Sequence, residues 1–322
     1  YFQGKKELFE GLAIYDLETE WKKYPIFHID LNTANFREKD SLYMVLNDYL
    51  TTWESKYGAR ESEATLALRF KGVIARAAEK EGRGVVILID EYDKPILQTL
   101  RDPELQAEHR AQLKAFYSVL KTQDRYIKFA FLTGVTKFGK VSVFSDLNNL
   151  TDISMDHRYI GICGMTEKEL LTNFKEGINE LASANEDNET ETIDKLRMRY
   201  SGYHFEENSE EIYNPFSVLN TLANSRYDDY WFKANTHTFL IDILKKHDYC
   251  ITDLNKAQVK ANMMNNVDSN PIPVIYQSGY LTIKSYDERF KNYQLGIPNK
   301  EVEEGIRNIF SPFISKRRKT DC

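Results

Sequence analysis

Two consecutive acidic residues follow a run of five apolar residues in the amino-terminal half of the chain. The run covers residues 85–89, and Asp90 and Glu91 come directly after it. Because the run has no polar alternation, it predicts a strand that is covered on both faces, as in a parallel sheet. Carboxylates at the end of such a strand are costly to desolvate unless a partner or ligand compensates. Since ligands bind at the carboxyl ends of central parallel strands, the two acids predict a ligand site there.

A nucleoside triphosphate with its magnesium ion would use both acids. Asp90 would hold Mg²⁺ through the water shell of the ion, and Glu91 would orient and polarise the water that attacks the γ-phosphate. The next predicted strand, residues 127–132, ends before Thr133, whose hydroxyl could sense the γ-phosphate through a hydrogen bond. Simpler alternatives stay open, because the acid pair could serve a loop or a helix cap and Thr133 could be a turn residue.

A phosphate-loop pattern, GxxxxGK, occurs at residues 134–140. The Ser or Thr that should follow the lysine and ligate Mg²⁺ is replaced by Val141. The segment also comes after the acidic strand, whereas a phosphate loop normally precedes that strand. We therefore reject it as the phosphate cradle, and the chain contains no other GxxxxGK[ST] pattern. Residues 1–322 alone are accordingly expected not to hydrolyse ATP.

The elements that must position these residues alternate between strand and helix. They are predicted over residues 24–31, 37–56, 61–81, 85–89 and 127–132. A further helix begins after Asp102, which is suited to the N-cap, with Pro103 at the first helical position. Strands and helices that alternate with short connections predict an α/β fold with a parallel sheet.

The pattern changes near Gly164. A capping box at residues 166–169 predicts a helix start, an acidic stretch at residues 185–191 has the composition of a disordered segment, and mainly helical sequence follows. Strands at residues 280–284 and 292–297 are predicted to form a hairpin, and Asn299 is predicted to cap a final helix. These patterns predict three parts: an α/β core over residues 1–164, a helical lid region over 165–250 and a winged-helix-like module over 251–322.

Charge and composition exclude several classes of protein. Lys and Arg number 43 and Asp and Glu 49, so the net charge is −6, which argues against a surface devoted to nucleic acid. In the final helix Glu301, Glu303 and Glu304 outnumber Lys300 and Arg307. The hairpin tip at residues 285–291 has two acids and two bases, so no duplex DNA binding is expected.

Cysteine usage and hydropathy predict a cytoplasmic protein with no membrane partner. The three cysteines, Cys163, Cys250 and Cys322, lie far apart, which argues against a zinc site or a disulfide framework. The apolar run at residues 85–89 is far too short to span a membrane, and the first residues lack the pattern of a secretory signal.

Several segments together resemble the AAA-ATPase-like family that is common in gut bacteria. They are GVVILIDEYDKPIL at residues 84–97, FLTGVTKFGKVSVFSDLNNL at 131–150, residues 202–205 with 213–216, and YQSGYLTI at 276–283. The resemblance implies a P-loop NTPase-type parallel sheet with helices on both faces, with ATP and Mg²⁺ as ligands and hydrolysis as a conformational switch. By the family pattern, Asp90 and Glu91 match the Walker B acids and Thr133 matches the sensor position.

The resemblance also implies partners. Members usually carry a carboxy-terminal PD-(D/E)xK nuclease-like domain, which such an ATPase would regulate, and no matching motif follows residue 300. In the family a phosphate loop lies shortly upstream of a segment like residues 1–12. A protein partner or a homo-oligomer would also suit the fold. The alternative function, from another class, is a catalytically degenerate ATPase fold that acts as a protein or nucleic-acid interaction scaffold.

Overall fold

The computed structural model describes residues 1–136, 149–234, 256–264 and 270–317, together with the single residues 147, 240, 241, 243, 244, 247 and 254. Side chains of the last helix are described up to residue 308. The chain divides into two compact units, Tyr1–Thr151 and Asp152–Cys322. Across the described ranges, no helix combines the length and the apolar character needed to cross a membrane.

A three-stranded parallel sheet lies at the centre of the first unit. Its strands are β1 (Ile26–Asp30), β2 (Val85–Asp90) and β3 (Ile127–Leu132), and β2 lies between the other two. Val85, Val86 and Ile87 are fully buried, and Ile89 is 1% exposed, as expected of a central strand with cover on both faces. The predicted α/β fold with a parallel sheet is therefore confirmed.

The described helices of the first unit lie before the first strand and between the strands in sequence. Those described in the first unit are α1 (Ala13–Leu17), α2 (Ser41–Tyr57), α3 (Leu66–Glu81), α4 (Lys94–Gln98) and α5 (Pro103–Thr122). Helix α5 begins as predicted, because the Asp102 side chain accepts a hydrogen bond from the N–H of Leu105 at 3.0 Å. Helix α3 begins later than predicted, because Thr65 caps it by accepting from the N–H of Leu68 at 3.2 Å.

Aromatic side chains join these helices to the sheet. Phe27 of β1 stacks on Trp53 of α2 with ring centroids 4.5 Å apart, and Phe70 of α3 stacks on Phe116 of α5 at 4.3 Å. Phe27 and Phe70 are fully buried, and Phe116 is 1% exposed. Burial of one such side chain contributes roughly 1.5–3 kcal/mol. The aromatic stack therefore fixes the helices against the strands whose ends carry the acidic residues.

The second unit contains a two-stranded antiparallel sheet and a group of short helices. Strand β4 (Met165–Thr166) pairs with β5 (Ile212–Tyr213). The helices are α6 (Glu167–Asn173), α7 (Lys175–Ala184), α8 (Glu189–Tyr200), α9 (Pro215–Asn224) and α10 (Tyr230–Ala234). The predicted capping box of α6 is confirmed: the N–H of Glu169 donates to Thr166 Oγ1 at 3.2 Å, and the N–H of Thr166 donates to Glu169 Oε2 at 2.9 Å.

The acidic stretch at residues 185–191 contains a helix start, so the prediction of disorder there is wrong. Asn188 caps α8: the N–H of Glu191 donates to Asn188 Oδ1 at 2.9 Å, and the N–H of Asn188 donates to Glu191 Oε2 at 3.1 Å. Acidic side chains stabilise the positive amino end of a helix. The charges that suggested disorder are therefore the charges that favour the first turn of α8.

The carboxy-terminal part of the second unit has a three-stranded antiparallel sheet. Strands β6 (Gln258–Lys260), β7 (Thr282–Asp287) and β8 (Asn292–Gly296) run in the order β6-β8-β7, with α11 (Pro271–Gln277) and α12 (Lys300–Arg317) around them in sequence. The predicted hairpin is confirmed as β7 and β8, and Asn299 caps α12 by accepting from the N–H of Val302 at 3.1 Å. Strand β6 was not predicted, because three residues give no clear alternation.

One carboxylate of α12 is buried rather than exposed. Glu301 is 0% exposed, lies 2.8 Å from Ser217 Oγ of α9, and accepts a hydrogen bond from the N–H of Trp231 of α10 at 2.9 Å. The sequence counts Glu301 among the surface charges of this helix, and that expectation is wrong because α9 and α10 cover it. Without Glu301, two acids and two bases remain at the start of the helix, so its described surface is balanced rather than acidic.

Gly202, which follows α8, is expected to tolerate no side chain. Its φ is +93°, and a Cβ atom there would lie 2.3 Å from the carbonyl oxygen of Pro298. Gly202→Ala should therefore lower the free energy of unfolding of the second unit by about 2–4 kcal/mol. Gly279→Ala is the control, because it has φ +82° but its Cβ would lie 3.6 Å from the nearest atom, in Trp231. If urea unfolding shows that both variants lose the same free energy of unfolding, the proposed clash with Pro298 is contradicted.

Candidate functional site

The carboxyl ends of the three parallel strands bring polar residues together at one edge of the sheet. Asp30, at the end of β1, is the register partner of Asp90, at the end of β2. Thr133 follows β3, and its N–H donates to the carbonyl oxygen of Ile89 at 2.9 Å, so Thr133 lies beside the end of β2. The structure thus brings together Asp90, Glu91 and Thr133, which the sequence selects, and adds Asp30 to them.

The Asp90 carboxylate is exposed, and only one of its oxygens accepts hydrogen bonds from the described residues. Oδ1 accepts hydrogen bonds from the Thr133 hydroxyl and from the N–H of Glu91, the latter at 3.1 Å. Oδ2 has no hydrogen-bond partner within the part of the chain that the structure describes. An exposed carboxylate oxygen of this kind fits Mg²⁺, which keeps several of its waters and needs only one or two carboxylates in a nucleotide site.

Glu91 has a strained backbone. Its φ of +55° places a non-glycine residue in the left-handed region, at a cost of about 1–2 kcal/mol. The chain turns out of β2 at this point, and the N–H of Lys94 donates to the Glu91 carbonyl oxygen at 3.0 Å as α4 begins. Strain of this kind concentrates at functional sites, because the surrounding structure has to hold one side chain in one position.

The surroundings of Glu91 shift the pKa of its carboxyl group upward. Burial raises the pKa of Glu91, the negative charges of Asp93 and Asp90 raise it further, and the Lys94 ammonium acts in the opposite direction. A carboxylate with a raised pKa accepts a proton more readily at neutral pH. This upward shift is the direction in which enzymes tune the pKa of carboxylates that act as general bases.

A lysine connects the chain segments that follow β1 and β2. The Lys94 ammonium donates to the carbonyl oxygen of Asn32 at 3.2 Å and also to the Asn32 side-chain oxygen. The N–H of Asn32 in turn donates to Asp30 Oδ1 at 2.7 Å. These bonds fix the end of β1 relative to the residues that follow Glu91.

Sequence reasoning missed Asp30. The signal was present, since β1 also ends in an acid, but the apolar character of Ile26–Asp30 is interrupted by the exposed His28. The run therefore lacks the continuous apolar character that identified residues 85–89. Only the parallel register of β1 and β2 shows that Asp30 and Asp90 lie side by side.

Part of the GxxxxGK segment is described, and it lies against the residues that follow β2. A Cβ atom on Gly134 would lie 2.5 Å from Asp93 Oδ1 and 2.8 Å from the ring of Tyr92. The close approach of these two side chains is thus a sufficient reason for glycine at this position. Residues 137–146, which include the lysine of the pattern and Val141, lie outside the described residues.

A parallel sheet whose central strand ends in two acids, with a hydroxyl at the end of the next strand, has the arrangement of a nucleoside-triphosphatase core. Residues 1–144 match the model of the AAA-ATPase-like family, whose description reads "Predicted AAA-ATPase". The resemblance inferred from the motifs is therefore confirmed over these residues.

A relative extends the similarity beyond this domain. A protein described as "Uncharacterized protein in vnfD 5'region" of Azotobacter chroococcum mcd 1 is 34% identical to the chain over 310 residues. The match covers 95% of this chain, hence both units, and 58% of the length of the relative. No solved structure matches the chain significantly.

Proposed function

We propose that the first unit binds ATP with Mg²⁺ and that the full-length protein hydrolyses ATP as a conformational switch. The observation that carries this proposal is the hydrogen bond from the Thr133 hydroxyl to the Asp90 carboxylate, beside Glu91, at the carboxyl ends of adjacent parallel strands. The match of residues 1–144 to the AAA-ATPase-like family supports nucleotide binding independently.

The three residues have separate roles in this proposal. Asp90 holds Mg²⁺ through water, and the ion supplies positive charge that offsets the charge of the phosphates. Glu91 orients the attacking water and accepts its proton. Thr133 has a single hydroxyl proton, which it donates to Asp90, so a bond to the γ-phosphate has to replace that bond. The orientation of the Thr133 hydroxyl therefore reports whether the γ-phosphate is present.

The phosphate cradle comes, in this proposal, from a segment outside residues 1–322. Backbone N–H groups and a lysine normally neutralise the β- and γ-phosphates, and the chain has no GxxxxGK[ST] pattern to supply them. Without a cradle, the negative charges of Asp90 and Glu91 repel the triphosphate. The family resemblance implies that the loop lies upstream of Tyr1.

Hydrolysis assays on two lengths of the protein test this proposal. Residues 1–322 alone are expected to release no phosphate from ATP, because the cradle is missing. The full-length protein is expected to release phosphate in a Mg²⁺-dependent manner and to lose this activity when the lysine of its phosphate loop is replaced by alanine.

Two results would contradict it. Steady phosphate release by residues 1–322 that disappears with Lys140→Ala would show that residues 134–140 are the cradle after all. A full-length protein that neither binds nor hydrolyses ATP would favour the alternative function, a degenerate ATPase fold that acts as an interaction scaffold.

The proposal extends to what the switch controls. By the family resemblance, the full-length protein carries or recruits a nuclease-like domain that the ATPase regulates, and the chain spans only 58% of the length of its relative. The module formed by β6, β7, β8 and α12 is proposed to contact protein rather than duplex DNA. The hairpin tip at residues 285–291 and the described surface at the start of α12 each have two acids and two bases. These two surfaces would release few counterions, and counterion release dominates affinity for DNA.

A further inference from the structure

Another carboxylate near the strand ends, that of Asp93, is completely buried. It is 0% exposed and accepts three hydrogen bonds, from the N–H of Val135 to Oδ1 at 3.2 Å and from the N–H and the hydroxyl of Thr136 to Oδ2 at 2.5 Å and 2.6 Å. All three donors belong to the loop that follows β3. Burial of a carboxylate costs free energy unless hydrogen bonds compensate for the lost water. These three bonds therefore hold the Asp93 side chain against that loop.

Tyr92 holds the same loop through its main chain and its side chain. The N–H of Tyr92 donates to the carbonyl oxygen of Thr133 at 3.0 Å, and its hydroxyl donates to the carbonyl oxygen of Thr136. Gly134 lies between these points, where a Cβ atom would collide with both Tyr92 and Asp93. We call residues 92, 93 and 133–136 the clasp.

The clasp determines where the Thr133 side chain lies. The main chain of Thr133 makes two hydrogen bonds: its N–H donates to the carbonyl oxygen of Ile89 in β2, and its carbonyl oxygen accepts from the N–H of Tyr92. Asp93 then fixes the direction that the chain takes after Thr133. With both directions fixed, the hydroxyl of Thr133 is held at Asp90 Oδ1.

We propose that Asp93 is a positioning residue for Thr133, acting through the clasp. This inference rests on the proposed function, in which Thr133 senses the γ-phosphate. Asp93 does not touch the nucleotide, because it is fully buried. Its effect is to keep the Thr133 hydroxyl within reach of both Asp90 and the phosphate. The hydroxyl can then change its hydrogen-bond acceptor from Asp90 to the γ-phosphate without movement of the main chain.

Variants of Thr136 test the clasp without removing a charge. Thr136→Val removes the hydroxyl that donates to Asp93 and keeps the shape, whereas Thr136→Ser keeps the hydroxyl. In the full-length protein, Thr136→Val and Asp93→Asn should lower kcat for ATP hydrolysis roughly 10- to 100-fold, as expected for a small misplacement, with little change in the Kd for ATP. Thr136→Ser should keep most of the wild-type activity. Asp102→Asn, which replaces the exposed N-cap residue of α5 with another good N-cap residue, should change neither kcat nor the Kd for ATP.

A double-mutant cycle separates positioning from general destabilisation. If Asp93 acts through Thr133, then adding Asp93→Asn to Thr133→Val should lower kcat little further, because the positioned hydroxyl is already absent. Independent effects that multiply in the double variant would overturn the inference. If Asp93→Asn does not fold, the same cycle can be made with Thr136→Val and Thr133→Val.

The outcomes also distinguish this inference from the proposed function. ATP hydrolysis by the wild type that is unchanged in both Asp93→Asn and Thr136→Val would overturn the role of Asp93 and leave the proposed function in place. No hydrolysis by the wild-type full-length protein would overturn the proposed function, and the role of Asp93 with it.

Discussion

The Glu91→Gln variant of the full-length protein is expected to bind ATP at least as tightly as the wild type and to hydrolyse it roughly 10²–10⁴-fold more slowly. The amide has the size of the carboxylate but cannot accept the proton of the attacking water. Loss of the negative charge also removes one repulsive interaction with the triphosphate, which favours binding. Equilibrium nucleotide binding and single-turnover hydrolysis, measured separately, distinguish the two effects.

Two further variants control this experiment. Glu104→Gln changes an exposed carboxylate in the first turn of α5 and should leave both binding and turnover unchanged. Asp90→Asn should weaken Mg²⁺-dependent binding as well as turnover, because Asp90 has the carboxylate oxygen available for the water shell of the ion. Wild-type turnover in both Glu91→Gln and Asp90→Asn would exclude the roles proposed for these acids.

The part of the site that lies on β2 is predictable because its signal is local. Five apolar residues without alternation require a central strand, and the two acids at its end require a ligand or a partner. The cap of α5 at Asp102 and the capping box at Thr166 are local in the same way. Each is formed by residues only three positions apart, so the sequence alone determines the partners.

The clasp is not predictable in this way. Asp93 and Thr136 are 43 residues apart, and only the parallel pairing of β2 with β3 brings them together. The sequence places Asp93 two residues after Glu91 without indicating its partner. The structure shows a buried carboxylate that accepts hydrogen bonds from the loop after β3. Asp30 was missed for the same reason, since its proximity to Asp90 depends on register.

Burial of single charged residues is a further property that the sequence does not determine. Glu301 lies in the first turn of α12, two residues before the exposed Glu303. An acid at this position is normally an exposed contribution to the helix dipole. Helices α9 and α10, which are distant in sequence, determine which face of α12 is covered. The sequence of α12 alone therefore does not predict that Glu301 is buried.

The buried carboxyl group of Glu301 is expected to make the second unit less stable as the pH rises. Burial is the main cause that raises the pKa of Glu301 to about 7 from 4.5, and the negative charge of Asp229 adds to it. Hydrogen bonds from Ser217 and the N–H of Trp231 oppose the change. Arg199 pairs with Asp229 at 2.7 Å and with Glu304 at 3.3 Å, and Glu301 has no salt bridge among the described residues.

The sign of the effect follows from linkage. A folded-state pKa above the unfolded value means that the folded unit binds the proton more tightly. This contribution is fully present below pH 4.5, the unfolded value, and is lost as the pH rises through about 7. A difference of this size corresponds to about 3 kcal/mol, at 1.36 kcal/mol for each unit of pKa. The free energy of unfolding should therefore fall between pH 5 and pH 8 by about 2–3 kcal/mol through this group.

Glu301→Gln should remove this dependence, because the amide stays neutral and can still accept from Ser217 and the N–H of Trp231. The variant should match the wild type near pH 5 and exceed it at pH 8 by about 2–3 kcal/mol. Urea unfolding at several pH values, followed by the fluorescence of Trp231 in a background with Trp21→Phe and Trp53→Phe, measures the second unit alone. Glu303→Gln, which changes an exposed carboxylate on the same helix, should leave the wild-type dependence intact. If Glu301→Gln and Glu303→Gln show the same dependence on pH, the buried carboxyl group of Glu301 is not its source.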